Sequence, residues 1–399
     1  MKRDIFTAAL VLALAPFLAG CASGNTAEAS VGDPWGVVEV PRGENVRLLV
    51  ATALDESVVG PEGLEQMRGA ELAADNWRYQ GFRAELVVED SGCDAGRAAG
   101  VAIRRTMDRN LVAVIGNTCS SACAAAVPSY EPAHVPMVSP GCSSGTLVDQ
   151  VLHSDSFVRT VYDDALEGEL AARFAYVELG ARRAAILHDG TPETTGSAEA
   201  FAAAFVSLGG QIVDEQGIER GARSFRTLLS AVHAHEPDVL YAPLLLPDGA
   251  RLVLQASATS LADVRIIGGR HLQSAWFVQE AGRASDGVYA VAPHTTSSAY
   301  SEVAAEYERR YRQPPGSAAF AYGYDAASLI LAAIADSSTV TPGGDLLIGR
   351  QALHDTLYRT AAHEGLTGKL TCSQWGDCSA AGLAMYRVQE GQWQPVYLP

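Results

Sequence analysis

The sequence predicts an α/β protein built as two doubly wound parallel-sheet lobes, and three observations carry that prediction. From Val46 onward, short β-branched or aliphatic runs alternate with longer stretches of helical periodicity. Such βαβ alternation gives parallel sheets covered by helices on both faces. The alternation then continues past the size of one sheet, and Tyr162-Asp163-Asp164 stands where the chain could cross from one sheet to a second.

Taken in order, strands are expected at 46–52, 84–89, 111–115 and 135–138, with helices at 62–79, 94–109 and 120–130 between them. Leu64, Met67, Ala70, Glu71 and Ala74 show the three-and-four spacing of an amphipathic helix. Beyond the crossover, strands read at 183–187, 211–213, 238–242, 264–267 and 287–292, and helices at 164–179, 197–208, 223–234, 248–260 and 273–282. Ala198, Phe201, Ala202, Phe205 and Leu208 repeat the helical spacing. Helical segments at 298–312, 320–336 and 349–363 follow, and a strand-rich tail starts at 366.

The first 20 residues read as a signal peptide, with basic Lys2 and Arg3 before the apolar run Ile5–Leu18. Leu18-Ala19-Gly20-Cys21 resembles a bacterial lipobox, which would put a diacylglycerol on the Cys21 thiol; the alternative is an ordinary signal peptide with a chance cysteine. The chain would then be exported and lipid-anchored rather than membrane-spanning. Ala22 leaves the destination open: the outer face of the cytoplasmic membrane, the periplasm, or the outer membrane. Residues 21–45 read as a flexible tether. The 29 basic and 46 acidic residues give a net charge of −17, which argues against nucleic acid or an anionic bilayer surface as partner. Six cysteines remain after Cys21, and an even number in an exported chain suggests disulfides. Cys372 and Cys378 flank a hairpin-like turn, so a local bridge is expected there. No paired CxxC or HExxH occurs, so neither a metal site nor a cofactor is expected.

Two turns carry the chemistry. Gly116-Asn117-Thr118-Cys119-Ser120-Ser121 and Ser139-Pro140-Gly141-Cys142-Ser143-Ser144 each follow an apolar strand and each open what reads as a helix. Unpaired N–H groups and the positive dipole end at such helix starts suit a carboxylate. Gly141 to Gly145 also matches the GxSxG nucleophile elbow, which would make Ser143 a serine nucleophile, but no Asp/Glu and His are singled out to complete a triad.

With these turns, Gly69-Ala70-Glu71-Leu72-Ala73, Val88 to Asp94, Tyr130 to Pro140, Gly209-Gly210, Asp238 to Tyr241 and Ala321 to Ala326 occur in an order that resembles the periplasmic substrate-binding proteins of ABC importers, Leu/Ile/Val-binding type. The resemblance implies a type I bilobal fold whose lobes, joined by a three-crossover hinge, close on a ligand. It sets lobe 1 at 46–162 and 290–372, and lobe 2 at 163–289 and 373–399. It implies a Cys93–Cys119 disulfide, which leaves Cys123 and Cys142 to pair or to stay as free thiols. It further implies a monomer that hands a small carboxylate-bearing ligand to separate permease and ATPase subunits. A ligand sensor of the same fold is the alternative. By position, Ser120 and Ser143 would bind the ligand carboxylate, Ser121 and Cys142 would line the site beside them, and the Gly141 carbonyl would face the ligand's ammonium.

Four positions depart from the pattern. Glu62, Glu193 and Leu245 stand where aromatic residues are usual, and Arg270 replaces the carboxylate that pairs with the ammonium. One reading keeps an amino acid, with Glu193 as the anion and Arg270 on a second carboxylate or polar tail. A second abandons the ammonium, so that Arg270 and the turns hold a carboxylate or dicarboxylate. A third turns Arg270 to solvent.

Overall fold

The computed structural model describes residues 32–55, 59–295, 298–380 and 382–399. The signal peptide, Cys21 and the first part of the expected tether lie outside the described residues. In chain order the elements are β1 (Val37–Val40), β2 (Val46–Thr52), α1 (Glu62–Asn76), β3 (Ala84–Asp90), α2 (Ala95–Arg105), β4 (Leu111–Gly116), α3 (Ser120–Tyr130), β5 (Met137–Ser139) and β6 (Phe157–Arg159). Then come α4 (Asp164–Arg173), β7 (Arg183–His188), α5 (Pro192–Ser207), β8 (Gln211–Gly217), α6 (Arg226–Ala234), β9 (Val239–Ala242), α7 (Leu246–Ala256), β10 (Arg265–Gly268), α8 (Ala275–Ala281) and β11 (Tyr289–Pro293). The last are α9 (Ser298–Tyr311), α10 (Ala319–Ser337), β12 (Ser338–Val340), β13 (Leu346–Gly349), α11 (Arg350–Tyr358), β14 (His363–Glu364), β15 (Lys369–Leu370), β16 (Leu383–Gln389) and β17 (Gln392–Tyr397).

Two sheets organise the molecule. One is parallel throughout, in the order β3-β2-β4-β5-β6. The other runs β17-β16-β11-β10-β9-β7-β8, parallel from β8 to β11, with β16 and β17 added antiparallel at its edge. Strand order reverses beside β2 and β4 in the first sheet and beside β7 and β9 in the second. Ligands of open α/β sheets bind at such switch points, outside the carboxyl ends of the strands. The chain passes between the sheets at Thr160–Asp163, after β11, and again between β15 and β16.

Both sheets are buried on two faces. Leu48, Val50, Ile115 and Val138 pack under α1 and α10, while Ile186, Tyr241 and Ile267 pack under α4 and α5. Helices α1 and α10 cross with backbones in contact. A Cβ on Gly69 would overlap the Phe320 carbonyl, and one on Gly323 the Gln66 carbonyl.

Some expectations are corrected. The tether does not extend to residue 45: Val37–Val40 is a strand, antiparallel to β13, with Val38 and Val40 in the core. Alternation of exposed and buried residues along Val37–Val40 marks a half-buried strand, hidden in the sequence by flanking Gly and Pro. The segment 349–363 is helical only through Tyr358, and His363 and Glu364 pair with β15. The second Ser-bearing turn opens on a single 3-10 turn, Gly145–Val148, rather than on a helix. The helix expected from 197 begins at Pro192, since a proline at the first helical position costs no hydrogen bond. Glu193 therefore sits in its first turn rather than in a loop.

Candidate functional site: the cleft between the lobes

Strand ends place the site residues. Ser120 and Ser121 begin α3 just beyond β4, and Gly141 to Ser144 follow β5. Across the cleft, Glu193, Leu245 and Arg270 follow β7, β9 and β10.

The first-lobe turns are braced against each other. The Ser139 hydroxyl donates to the Asn117 carbonyl (3.0 Å) and accepts from the amides of Gly141 (3.2 Å) and Cys142 (2.9 Å). The Ser144 amide donates to the Ser120 hydroxyl at 3.1 Å. Disulfides Cys93–Cys119 and Cys123–Cys142 fasten both turns, and Cys372–Cys378 closes a loop near the hinge. The buried Arg159 donates to the carbonyls of Ser143 (2.7 Å) and Ser144 (3.0 Å) and pairs with Asp163 and Asp377. Gly141 must be glycine, because a Cβ there would strike the Thr118 carbonyl.

Several polar contacts cross the cleft among the described residues. Glu193 Oε1 accepts from the Ser121 amide (2.8 Å) and hydroxyl (2.6 Å). Arg270 Nη2 donates to the Gly141 carbonyl and Nη1 to the Ser143 hydroxyl, both at 2.8 Å. His271 Nδ1 lies 2.7 Å from Glu62 Oε2. Leu245 is buried in the first lobe's core cluster, whose members include Val59, Cys119 and Ala122, and its neighbour Leu246 lines the cavity. Cys142 is enclosed and disulfide-bonded, so it presents no group to the cleft.

Second-lobe carboxylates steady Arg270. Glu167 Oε2 accepts from its amide (3.1 Å), and Asp164 Oδ1 lies 3.8 Å from Nη1. Burial pushes Asp164 up to about 7 against the opposing pull of Arg270 and the Ser143 hydroxyl. Burial would also raise Glu62, but His271 and Arg270 outweigh it and hold that carboxyl below its ordinary value. The guanidinium remains cationic: burial opposes its charge, and Glu62, Tyr162, Glu167 and Asp164 more than offset that. Arg220 pairs with Asp189 (2.9 Å) and approaches Glu193 Oε2 (3.8 Å).

Beside Arg270 lies a small cavity that admits the centres of water-sized molecules over about 40 Å³ and opens in part to solvent. Val59, Leu246, Trp276 and Tyr322 form apolar walls, and Glu62, Arg270 and His271 give it polar edges. Among the described residues no His, Cys, Asp and Glu cluster is arranged to hold a metal, and no helix is long and apolar enough to cross a membrane. The triad that a Ser143 hydrolase needs is not assembled: its hydroxyl contacts Arg270 and Asp164, while His271 is engaged by Glu62.

Sequence reasoning passed over His271, Asp164, Glu167 and Trp276. Asp163-Asp164 and Glu167 read as an acidic first helical turn, which is what they also are. His271 adjoins Arg270, and that adjacency was the available signal.

A family model described as periplasmic binding protein matches residues 55–391. An amino acid binding protein of Pseudomonas aeruginosa is 28% identical over 197 residues, 48% of this chain and 52% of the relative. The chain thus matches about half the length of that curated relative. The Leu/Ile/Val-binding protein of Escherichia coli K12 is 24% identical over 254 residues, 63% of this chain and 68% of the relative. Among solved structures, a leucine binding protein from Thermotoga maritima superposes with a TM-score of 0.79 at 23% identity, covering 88% of this chain and 98% of that one. A solute binding protein from R. palustris in complex with benzoate gives 0.78 at 16% identity, covering 89% and 96%. With 337 consecutive residues under the family model, two doubly wound lobes and a hinge of three passages, the chain belongs to the periplasmic binding protein family.

Proposed function

We infer that the chain is an extracytoplasmic solute-binding protein, lipid-anchored through Cys21, that captures a small carboxylate-bearing ligand between its lobes and delivers it to an ABC permease. The halves that close are the one built on β2–β6 and the one built on β7–β11 with β16 and β17, so that residues 290–293, expected in the first half, belong to the second. The curated relatives named for amino-acid binding support capture of a small molecule. One observation carries the choice of ligand: the buried guanidinium of Arg270 donates to the Gly141 carbonyl, the group assigned from sequence to a ligand ammonium. The protein supplies that cation itself. Glu193, the candidate counter-charge for an ammonium, is turned to Ser121 and Arg220 instead. An acid without an α-ammonium fits this arrangement, and Arg270 offers it a counter-charge.

Thermal-shift screening of the mature protein against amino acids, dicarboxylates, amides and aromatic acids identifies the ligand, because binding to the folded form raises the melting temperature. For that ligand, Arg270→Ala weakens binding at least tenfold, about 1.4 kcal/mol; unchanged affinity discards Arg270 as a site residue. Ligand-stimulated ATPase activity of a co-purifying permease complex tests delivery, and its absence with every ligand points to a sensor.

A further inference from the structure

We propose that the interlobe cavity takes the ring of an aromatic or alicyclic monocarboxylate, its carboxylate set against Arg270 and His271, and that free α-amino acids are shut out by the protein's own Glu193 and Arg270. This rests on the solute-capture reading and names its substrate class.

An α-amino acid brings one anion and one cation, and this cleft already holds both. The Glu193 carboxylate sits on the amide and hydroxyl of Ser121, next to Ser120, which the sequence assigns to an incoming carboxylate. The Arg270 guanidinium sits on the Gly141 carbonyl, where an ammonium would bind. Their side chains are 2% and 10% exposed. Displacing either would strand a buried charge without its partners, which is more costly than the exchange of one contact for another.

What stays open is the cavity next to them. His271 is 5% exposed at its side chain, and its Nε2 atom is buried without a hydrogen-bond partner in the structure. A buried polar atom left unsatisfied is costly, and a ligand group on it removes that cost. With Nδ1 engaged by Glu62, Nε2 is the ring atom left to meet a ligand's carboxyl group. Arg270 has five N–H donors, and the Gly141 and Ser143 contacts each use one. Val59, Leu246, Trp276 and the Tyr322 ring give flat or branched apolar surface, and Gln273, Ser274 and Ser317 add uncharged polar groups to the wall. Apolar walls and convergent donors on one side suit a ring with a single acidic group. A second carboxylate near the Glu62 anion would be repelled, which disfavours dicarboxylates. A neutral amide of the same shape forgoes the charge-assisted bonds.

The test is isothermal titration of the mature, folded protein with benzoate, cyclohexanecarboxylate, benzamide, succinate and leucine. Benzoate or cyclohexanecarboxylate is expected to bind at least tenfold tighter than the other three. His271→Gln and Trp276→Ala should each weaken that binding at least tenfold. Trp276→Phe, which keeps a ring, should weaken it less, and circular dichroism melts identify any variant that has failed to fold. Leucine or succinate binding tighter than both ring acids overturns the substrate class but leaves solute capture standing. Ring acids that bind with no effect from His271→Gln and Trp276→Ala, or that fail to bind at millimolar concentration, overturn the subsite. Failure of any ligand to stimulate a permease ATPase strikes at delivery alone.

Discussion

Arg270 and Glu193 show how far one side chain can redirect a shared fold. Each is buried and hydrogen-bonded across the cleft, Glu193 to Ser121 and Arg270 to Gly141 and Ser143. Their positions were legible in the sequence, because a strand followed by Gly268-Gly269 or by Asp189-Gly190 puts the next turn at the mouth of the sheet. Their targets were not. Long flexible side chains reach several partners, and only packing selects among them. Glu65 makes a related point about pH. Burial pushes its carboxyl up to about 8, although the Ser317 hydroxyl and the amides of Gly316 and Ser317 pull the other way. The folded state therefore holds the proton more tightly than the unfolded chain, whose glutamate titrates near the ordinary value of about 4.3. The stabilisation linked to that proton is present in full below the unfolded value and is lost as pH rises to about 8. Chemical denaturation between pH 5 and pH 8.5 should show a decline in wild type that is shallower in Glu65→Gln. Equal slopes would mean that Glu65 is ionised throughout.

At the scale of elements, the long periodic segments were read well. Strands at 46–52 and 84–89 match β2 and β3 to within a residue, and the helix at 120–130 matches α3. Strands β1, β6, β12 and β13, each three or four residues long, were missed, whereas the equally short β5, β9 and β10 were read. Contacts between elements were the least legible. Nothing in Gly69 or Gly323 alone says that α1 and α10 cross backbone to backbone, yet a Cβ at either meets a main-chain carbonyl of the other helix. A rigid backbone cannot step aside as a side chain does. Gly323→Val should therefore destabilise the protein by about 1–3 kcal/mol or more, the usual cost of overpacking a core. Urea denaturation measures it, and a loss below about 0.5 kcal/mol would show that the helices separate freely.

The whole molecule is drawn closed by its own residues. Glu193 to Ser121, Arg270 to Gly141 and Ser143, and His271 to Glu62 span the cleft, with Leu245 packed into the facing lobe beside them. Each lobe keeps its own core, and the three passages between them leave hinge motion available. These contacts should therefore weigh in the balance between open and closed forms. Charge-assisted bonds of this kind contribute roughly 1.5–3 kcal/mol each, enough in combination to reverse a two-state population. Ligand-free wild type should give small-angle X-ray scattering that matches the closed coordinates. Glu193→Gln combined with Arg270→Ala should enlarge the radius of gyration with the far-ultraviolet circular dichroism unchanged. Added salt alone should open wild type little, because buried pairs are screened far less than exposed ones. Identical scattering from wild type and the double variant would mean that these contacts accompany closure without holding it, and that apolar packing around Leu245 or the hinge itself sets the balance.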